Sequence, residues 1–142
     1  MHVPLTDLHP HFVRYETRIE KWTVAVGDPL TWTNGGPTEE REGPREHITY
    51  VDSLSEAQGI WFLCPKCYVD RGNSSVGTHS VSVAFADRNV LPNQGSQGDA
   101  GPSRWTVVSG TDFSDLTLTP SILLRSGCGW HGYITNGQAT SV

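Results

Sequence analysis

Four residues of the sequence form two pairs with the same spacing, and their side chains are common zinc ligands. The pairs are Cys64-Pro-Lys-Cys67 and Cys128-Gly-Trp-His131. Two intervening residues let both ligands of a pair reach one ion, and thiolate and imidazole donors suit Zn²⁺. Four protein ligands would leave no coordination position for an activated water. We therefore predict a structural zinc site built from Cys64, Cys67, Cys128 and His131.

Other interpretations of these residues stay open. Cys128 could be a small buried side chain and His131 a core imidazole, whereas an iron–sulfur cluster would normally require four thiolates. The chain has three cysteines, an odd number that argues against a disulfide framework. A further histidine, His79, lies in Gly-Thr-His-Ser-Val. If His79 completed the zinc site, His131 would be free for acid–base chemistry; otherwise His79 is the free imidazole.

A serine nucleophile is the second chemical feature that the sequence suggests. Ser121 follows Pro120, whose restricted backbone would help to direct the hydroxyl outward. A serine needs an adjacent base, usually an imidazole that a third group orients. We predict that Ser121 and His79 are catalytic, with His131 as the alternative base and Asp112 or Asp115 as the orienting group. No nucleophile elbow, metalloprotease helix or phosphate-binding glycine loop is present.

The elements that must position these residues are mainly short strands. The chain has 15 glycines, 9 prolines and 36% hydrophobic residues, which favours strands and turns over long helices. In residues 78–87 apolar side chains alternate, with Val81, Val83 and Phe85 on one face. Asn136-Gly137 predicts a hairpin turn between the last two strands. Further strands are predicted at residues 17–27, 31–36, 47–51, 60–64, 104–110 and 115–124.

The segments between these strands have different predicted roles. Residues 52–59 begin with the capping candidates Asp52 and Ser53 and end at Gly59, which predicts a helix of two turns. Residues 35–46 combine charges of both signs with glycine and proline, which predicts a surface loop. Residues 87–104 form a second long loop, which we expect to help shape a substrate groove.

Length and charge limit the classes of protein to consider. With 142 residues we expect an N-terminal arm (residues 1–16) and a single zinc-stabilised domain (residues 17–142). This domain is predicted to be mainly β, with a zinc knuckle and at most one or two short helices. The formal net charge is −5 and no basic cluster is present, so we expect no nucleic-acid partner. No apolar run is long enough to span a bilayer, so we expect no membrane association and a cytoplasmic location.

Residues 60–138 resemble a family of small phage and bacterial proteins catalogued as a domain of unknown function. The resemblance rests on the ordered motifs WFLCPKC, GTHSVSVAF, RWTVVSGTDFSDLTLTPSILL and CGWHGYITNG. Some members are encoded beside E1-like, E2-like and ubiquitin-like proteins and are proposed to act as peptidases on the ubiquitin-like protein. The resemblance implies a hydrolase centred on the serine of the Pro-Ser-Ile motif, which is Ser121 here.

Two hypotheses for function follow. The first is a zinc-stabilised serine-type peptidase acting on a protein or ubiquitin-like substrate, in which backbone N–H groups near residue 120 stabilise the oxyanion. The second is a non-enzymatic phage or prophage zinc-binding module that acts through protein contacts. The five tryptophans of the chain would then serve the core and an interface. Metal-dependent chemistry at an open site is a third, less favoured alternative.

Overall fold

Strands dominate the architecture of the chain. A computed structural model describes residues 1–27, 36–95 and 103–142. The strands are β1 (His2–Pro4), β2 (His11–Ala25), β3 (Thr38–Val51), β4 (Gly59–Leu63), β5 (Ser80–Ala84), β6 (Thr106–Ser109), β7 (Thr117–Thr119), β8 (Ile122–Leu123), β9 (His131–Thr135) and β10 (Gln138–Ser141). One α-helix, α1 (Pro65–Asp70), and two 3-10 turns, Leu5–Asp7 and Leu54–Glu56, complete the described elements. The predicted mainly β class with few short helices is confirmed.

The chain divides into two compact units, which are described separately. Unit 1 contains Met1–Tyr15 and Ile48–Val142, and unit 2 contains Glu16–His47. In unit 1, the C-terminal sheet has the order β1-β10-β9-β8. The predicted hairpin joins β9 to β10, with Gln138 opposite Thr135, and Asn136 and Gly137 both have the positive φ angles of a type I′ turn.

A second sheet of unit 1 carries the segment that leads to the cysteines. Its strand β4 pairs antiparallel with β5 along its full length and with the beginning of β2. The predicted alternation in β5 is confirmed, because Val81, Val83 and the following Phe85 are buried. These residues share one core with Phe62 of β4 and Trp130, which lies just before β9. That core burial keeps the ends of β4, β5 and β9 in fixed positions.

The N-terminal residues, for which an arm was predicted, contribute an edge strand and core side chains to unit 1. Strand β1 pairs with β10, with Val3 opposite Ala139. Leu5 and Leu8 are fully buried. Residues 1–15 therefore belong to the same compact unit as the C-terminal sheet.

Unit 2 corrects one prediction from the sequence. The charged residues 38–46, expected in a surface loop, belong to strand β3. Cross-strand pairs within the unit explain why: Thr17 donates a hydrogen bond to Glu46, and the Arg45 guanidinium lies 3.9 Å from the Trp22 ring centroid. The sequence does not indicate this strand, because its charges are mixed and both of its faces are exposed. Alternation of apolar and polar residues identifies only strands with one buried face.

A second correction concerns residues 52–59. Instead of the predicted two-turn helix, only Leu54–Glu56 form a 3-10 turn. Ser53 makes no capping hydrogen bond, and Ala57 already has extended backbone angles. The burial of Leu54 and Ala57 in the core competes with continuation of the helix.

Two predicted segments fall largely outside the described residues. The predicted strand at residues 31–36 lies there except for Gly36, as do residues 96–102 of the predicted groove-forming loop. In the described part of the chain, no helix has both the length and the apolar character needed to cross a membrane.

Candidate active site and metal centre

Three cysteines and one histidine of unit 1 meet in a single cluster. The cluster contains Cys64, Cys67, His79 and Cys128, whose ligand atoms all lie within 4.8 Å of one another. Cys128 Sγ lies 3.5 Å from Cys64 Sγ and 3.5 Å from His79 Nε2. The three predicted cysteine ligands therefore come together, but the fourth group is His79 and the predicted His131 lies elsewhere.

Strand pairing and a short helix explain how the cluster forms. Leu63 at the end of β4 lies opposite Ser80 at the start of β5, and the N–H of Cys64 donates to the carbonyl of His79. The cysteine and the histidine are therefore neighbours across the end of one ladder. Helix α1 begins at Pro65, which suits a first helical position, and this turn brings Cys67 back beside Cys64.

The charge balance of the cluster favours a cation. Burial raises the pKa of the Cys64 thiol to about 12, and the Cys128 sulfur acts in the same direction. Burial also acts to raise the pKa of Cys128. However, hydrogen bonds from His79, from the N–H of Trp130 and from the other two cysteines together lower it to about 7. Three adjacent thiolates would repel one another, so full ionisation of the cluster requires a positive ion in its centre.

The donor set and its dimensions fit Zn²⁺. Zinc–sulfur bonds of about 2.3 Å in a tetrahedron place two sulfur atoms about 3.8 Å apart, close to the 3.5 Å between Cys64 Sγ and Cys128 Sγ. All three cysteines are free rather than disulfide-bonded. Four protein donors would complete the coordination sphere. The cluster can thus hold a structural zinc ion.

Ser121 has a histidine partner on the C-terminal sheet. Its Oγ lies 3.0 Å from Nε2 of His131, a distance typical of a formed hydrogen bond. Ser121 is partly exposed and His131 is exposed, so both side chains are accessible from solvent. A serine hydroxyl next to an accessible imidazole nitrogen is the minimal arrangement of an activated nucleophile.

The register of β8 and β9 brings this pair together. Leu123 lies opposite His131, and Ile122 lies opposite Gly132. Because side chains alternate along a strand, Ser121 and Leu123 share a face with His131, while Ile122 and Leu124 pack into the core. Gly132 is required beside His131, since a Cβ there would meet the Thr140 carbonyl oxygen and the Trp130 ring.

The structure thus places His79 among the cysteines and His131 beside Ser121, which is the reverse of the predicted arrangement. We predicted His131 as a zinc ligand and His79 as the base of Ser121. The two-residue spacing of Cys128 and His131 permits a shared ion, but His131 is the first residue of β9. Its side chain follows the alternation of that strand toward Ser121. The alternative that His79 completes the metal site and frees His131 matches the geometry.

The two aspartates proposed as orienting groups have a local role. The Asp115 carboxylate accepts hydrogen bonds from the N–H groups of Thr111 and Asp112, and the Asp112 carboxylate accepts one from the N–H of Ser114. Of these hydrogen bonds, the one from the N–H of Asp112 contributes most to lowering the pKa of Asp115. Both aspartates therefore stabilise the turn before β7. Within the described residues, the only hydrogen-bond partner of the His131 ring is Ser121.

A comparison with protein families identifies the family of this chain. Residues 36–142 match the model of the family described as bacterial ubiquitination-like system serine protease (BubE). The chain belongs to the BubE family. No curated protein and no solved structure matches it significantly. The resemblance inferred from the sequence motifs is confirmed, and the BubE match also covers the whole of strand β3.

One signal in the sequence could have separated the two histidines. In the predicted strand before Asn136-Gly137, the core residue Ile134 alternates with Tyr133, so a strand that begins at His131 directs His131 and Tyr133 to the opposite, solvent-facing side. His79, by contrast, is in phase with the buried Val81 and Val83 of β5. The spacing argument outweighed this alternation in the sequence-based assignment.

Proposed function

We propose that the protein is a serine peptidase that acts on a protein substrate of a bacterial ubiquitination-like system, such as the ubiquitin-like protein itself. In this proposal Ser121 is the nucleophile and His131 is its general base. The observation that supports it most directly is the 3.0 Å contact between Ser121 Oγ and His131 Nε2 on an accessible sheet face. Membership of the BubE family supports the class of reaction.

The proposed reaction follows from this geometry. With the other ring nitrogen protonated, Nε2 of His131 accepts the Ser121 proton as Oγ attacks the carbonyl carbon of the substrate. The protonated His131 then donates this proton to the leaving amine as the carbon–nitrogen bond breaks, which leaves an acyl ester on Ser121. A water molecule, deprotonated by His131, hydrolyses the ester and restores the hydroxyl. We expect backbone N–H groups next to Ser121 to stabilise the oxyanion.

The metal has a structural role in this proposal. Cys64, Cys67, His79 and Cys128 would hold Zn²⁺, and the ion would neutralise the thiolates and join the end of β4 to the loop before β9. Because four protein donors leave no open position, hydrolysis does not depend on a metal-bound water. Cys128 lies three residues before His131, so the metal centre would also hold the start of β9 in place.

Labelling with a fluorophosphonate tests the proposed nucleophile. We expect the zinc-loaded wild type to gain one adduct by intact mass, and peptide mapping should locate it on Ser121. Ser121→Ala should gain none, whereas the control Ser109→Ala, which changes an exposed serine of β6, should react as the wild type does. A folded, zinc-loaded wild type that shows neither labelling nor peptide cleavage would refute the proposal. The non-enzymatic zinc-binding module would then be favoured.

A further inference from the structure

Strand β8 lies at the edge of the C-terminal sheet, directly beside Ser121. The order of this sheet is β1-β10-β9-β8, and in the described part of the chain β8 pairs only with β9. An edge strand has one row of backbone N–H and C=O groups that no neighbouring strand uses. Such an edge can pair with an incoming extended chain.

Two hydrogen bonds determine which residue of β8 presents its backbone outward. The N–H of Leu124 donates to the carbonyl of Trp130, so this pair and the pair Ile122–Gly132 are the hydrogen-bonded ones of the ladder. On the other side of β9, the N–H of Val142 donates to the carbonyl of His131, so the backbone of His131 faces β10. The intervening residue Leu123 therefore directs its N–H and C=O away from β9.

These outward groups are free and close to the reacting atoms. Among residues 1–27, 36–95 and 103–142, no partner is found for the N–H or C=O of Leu123. Leu123 is two residues from Ser121, which corresponds to about 7 Å along a strand. The carbonyl of Ser121, by contrast, accepts a hydrogen bond from Nε1 of Trp105. At this edge, the outward pair of backbone groups without a partner among the described residues thus belongs to Leu123.

Two exposed apolar side chains lie on the face that carries the serine and the histidine. Leu123 is 47% exposed and lies opposite His131, and Tyr133 is 45% exposed and lies two residues along β9. Both side chains point to the Ser121 face because of strand alternation. A polypeptide that reached Ser121 along this edge would therefore meet apolar surface as well as backbone groups.

We propose that the substrate binds as an extended segment, such as an unfolded tail or linker, that adds to the edge of the sheet by hydrogen bonding to the N–H and C=O of Leu123. The side chains of Leu123 and Tyr133 then contact the alternate, apolar side chains of that segment. This inference rests on the proposed peptidase function and specifies its substrate class. A folded surface without an extended segment would not reach both the edge and Ser121.

The variant Leu123→Pro isolates the contribution of the outward N–H. Proline removes this donor, but no hydrogen bond to β9 is lost and edge strands accept proline. The probe is a library of unstructured 14-residue synthetic peptides, with cleavage measured by mass spectrometry. We expect kcat/KM of Leu123→Pro to fall at least about tenfold, given the loss of a hydrogen bond and the added bulk at the edge. Fluorophosphonate labelling of Ser121 monitors the integrity of the nucleophile separately.

Leu123→Ala is the matched control, because it keeps the N–H and removes only the side chain. It should weaken the preference for apolar substrate residues and should lower kcat/KM less than Leu123→Pro does. Ile19→Ala, which changes an exposed side chain of β2, controls for loss of apolar surface elsewhere. If Leu123→Pro is labelled and cleaves peptides as fast as the wild type, edge pairing is wrong and the nucleophile stands.

A chemical test avoids any change to the protein. In the best-cleaved peptide, single backbone N-methylation should reduce cleavage by the wild type about five- to tenfold at the residue whose N–H bonds to Leu123. Methylation of the next residue should have a smaller effect, because its N–H faces away from the edge. Equal tolerance at all positions would overturn the proposal. Labelling of Ser121 without cleavage of any peptide would do the same, whereas absence of both would overturn the peptidase function itself.

Discussion

Replacement of His131 and His79, one at a time, should separate the reactivity of Ser121 from metal binding. In His131→Ala, Ser121 loses the imidazole that lies 3.0 Å from its Oγ. Because a positioned general base contributes about 10²- to 10⁴-fold, fluorophosphonate labelling should slow by this factor. Zinc content should remain at one ion per chain, since the four cluster atoms are unchanged.

His79→Ala should produce the opposite defect. Structural zinc sites contribute about 10–16 kcal/mol of binding free energy, so one of four ligands corresponds to about 3 kcal/mol, or on the order of 10²-fold in affinity. Zinc competition with a chelating dye measures this change directly. Any slower labelling of this variant should recover when Zn²⁺ is added in excess.

Substitution of each histidine by cysteine provides a matched control for both positions. His79→Cys should retain zinc, because a thiolate can replace imidazole in a tetrahedral structural site, whereas His131→Cys should not restore labelling of Ser121. The assignment of the two histidines would be refuted if His131→Ala lost its zinc while His79→Ala kept its zinc and lost labelling. That pattern would correspond to the arrangement expected from the sequence spacing.

Three further predictions concern stability. Gly132→Ala should lower the free energy of unfolding by about 3 kcal/mol, because its Cβ would overlap a backbone oxygen and approach Trp130 to 2.7 Å. The control Gly72→Ala, at φ +70° in open space, should lower the free energy of unfolding by about 1 kcal/mol. Urea denaturation measures both changes. Asp115→Ala should reduce stability at pH 7, and its difference from the wild type should shrink as the pH falls through the lowered pKa of Asp115. Its Ser121 labelling should be unchanged; a slowed reaction would assign Asp115 an orienting role. Chelation of zinc should lower Tm by more than about 10 °C in a scanning fluorimetry assay, reversibly on Zn²⁺ addition. An unchanged Tm in a fully demetallated sample would contradict a structural metal.

Local sequence signals predicted the last hairpin and strand β5 of unit 1, since their backbones follow from nearby residues. Asn136-Gly137 adopts the positive φ angles that its hairpin turn requires, and Val81 and Val83 of β5 are buried as their alternation predicts. Residues 38–46 of strand β3 were not predicted as a strand because neither of its faces is buried, and the contact between Thr17 and Glu46 joins residues that are far apart in sequence. Such long-range pairing leaves no periodic apolar pattern in the sequence.

The sequence by itself determined the chemical groups that the site contains. Three cysteines and two histidines near tight turns offer donors for a metal ion, and the motif around Ser121 offers a candidate nucleophile, because side-chain chemistry and local spacing are properties of the chain alone. Only the tertiary structure decided which histidine lies beside the cysteines and which lies beside Ser121. The β4–β5 ladder places His79 beside Cys64, and the β8–β9 register places His131 beside Ser121. Local sequence does not determine which residues of these strands lie opposite one another. The register of both ladders depends instead on burial of the shared core.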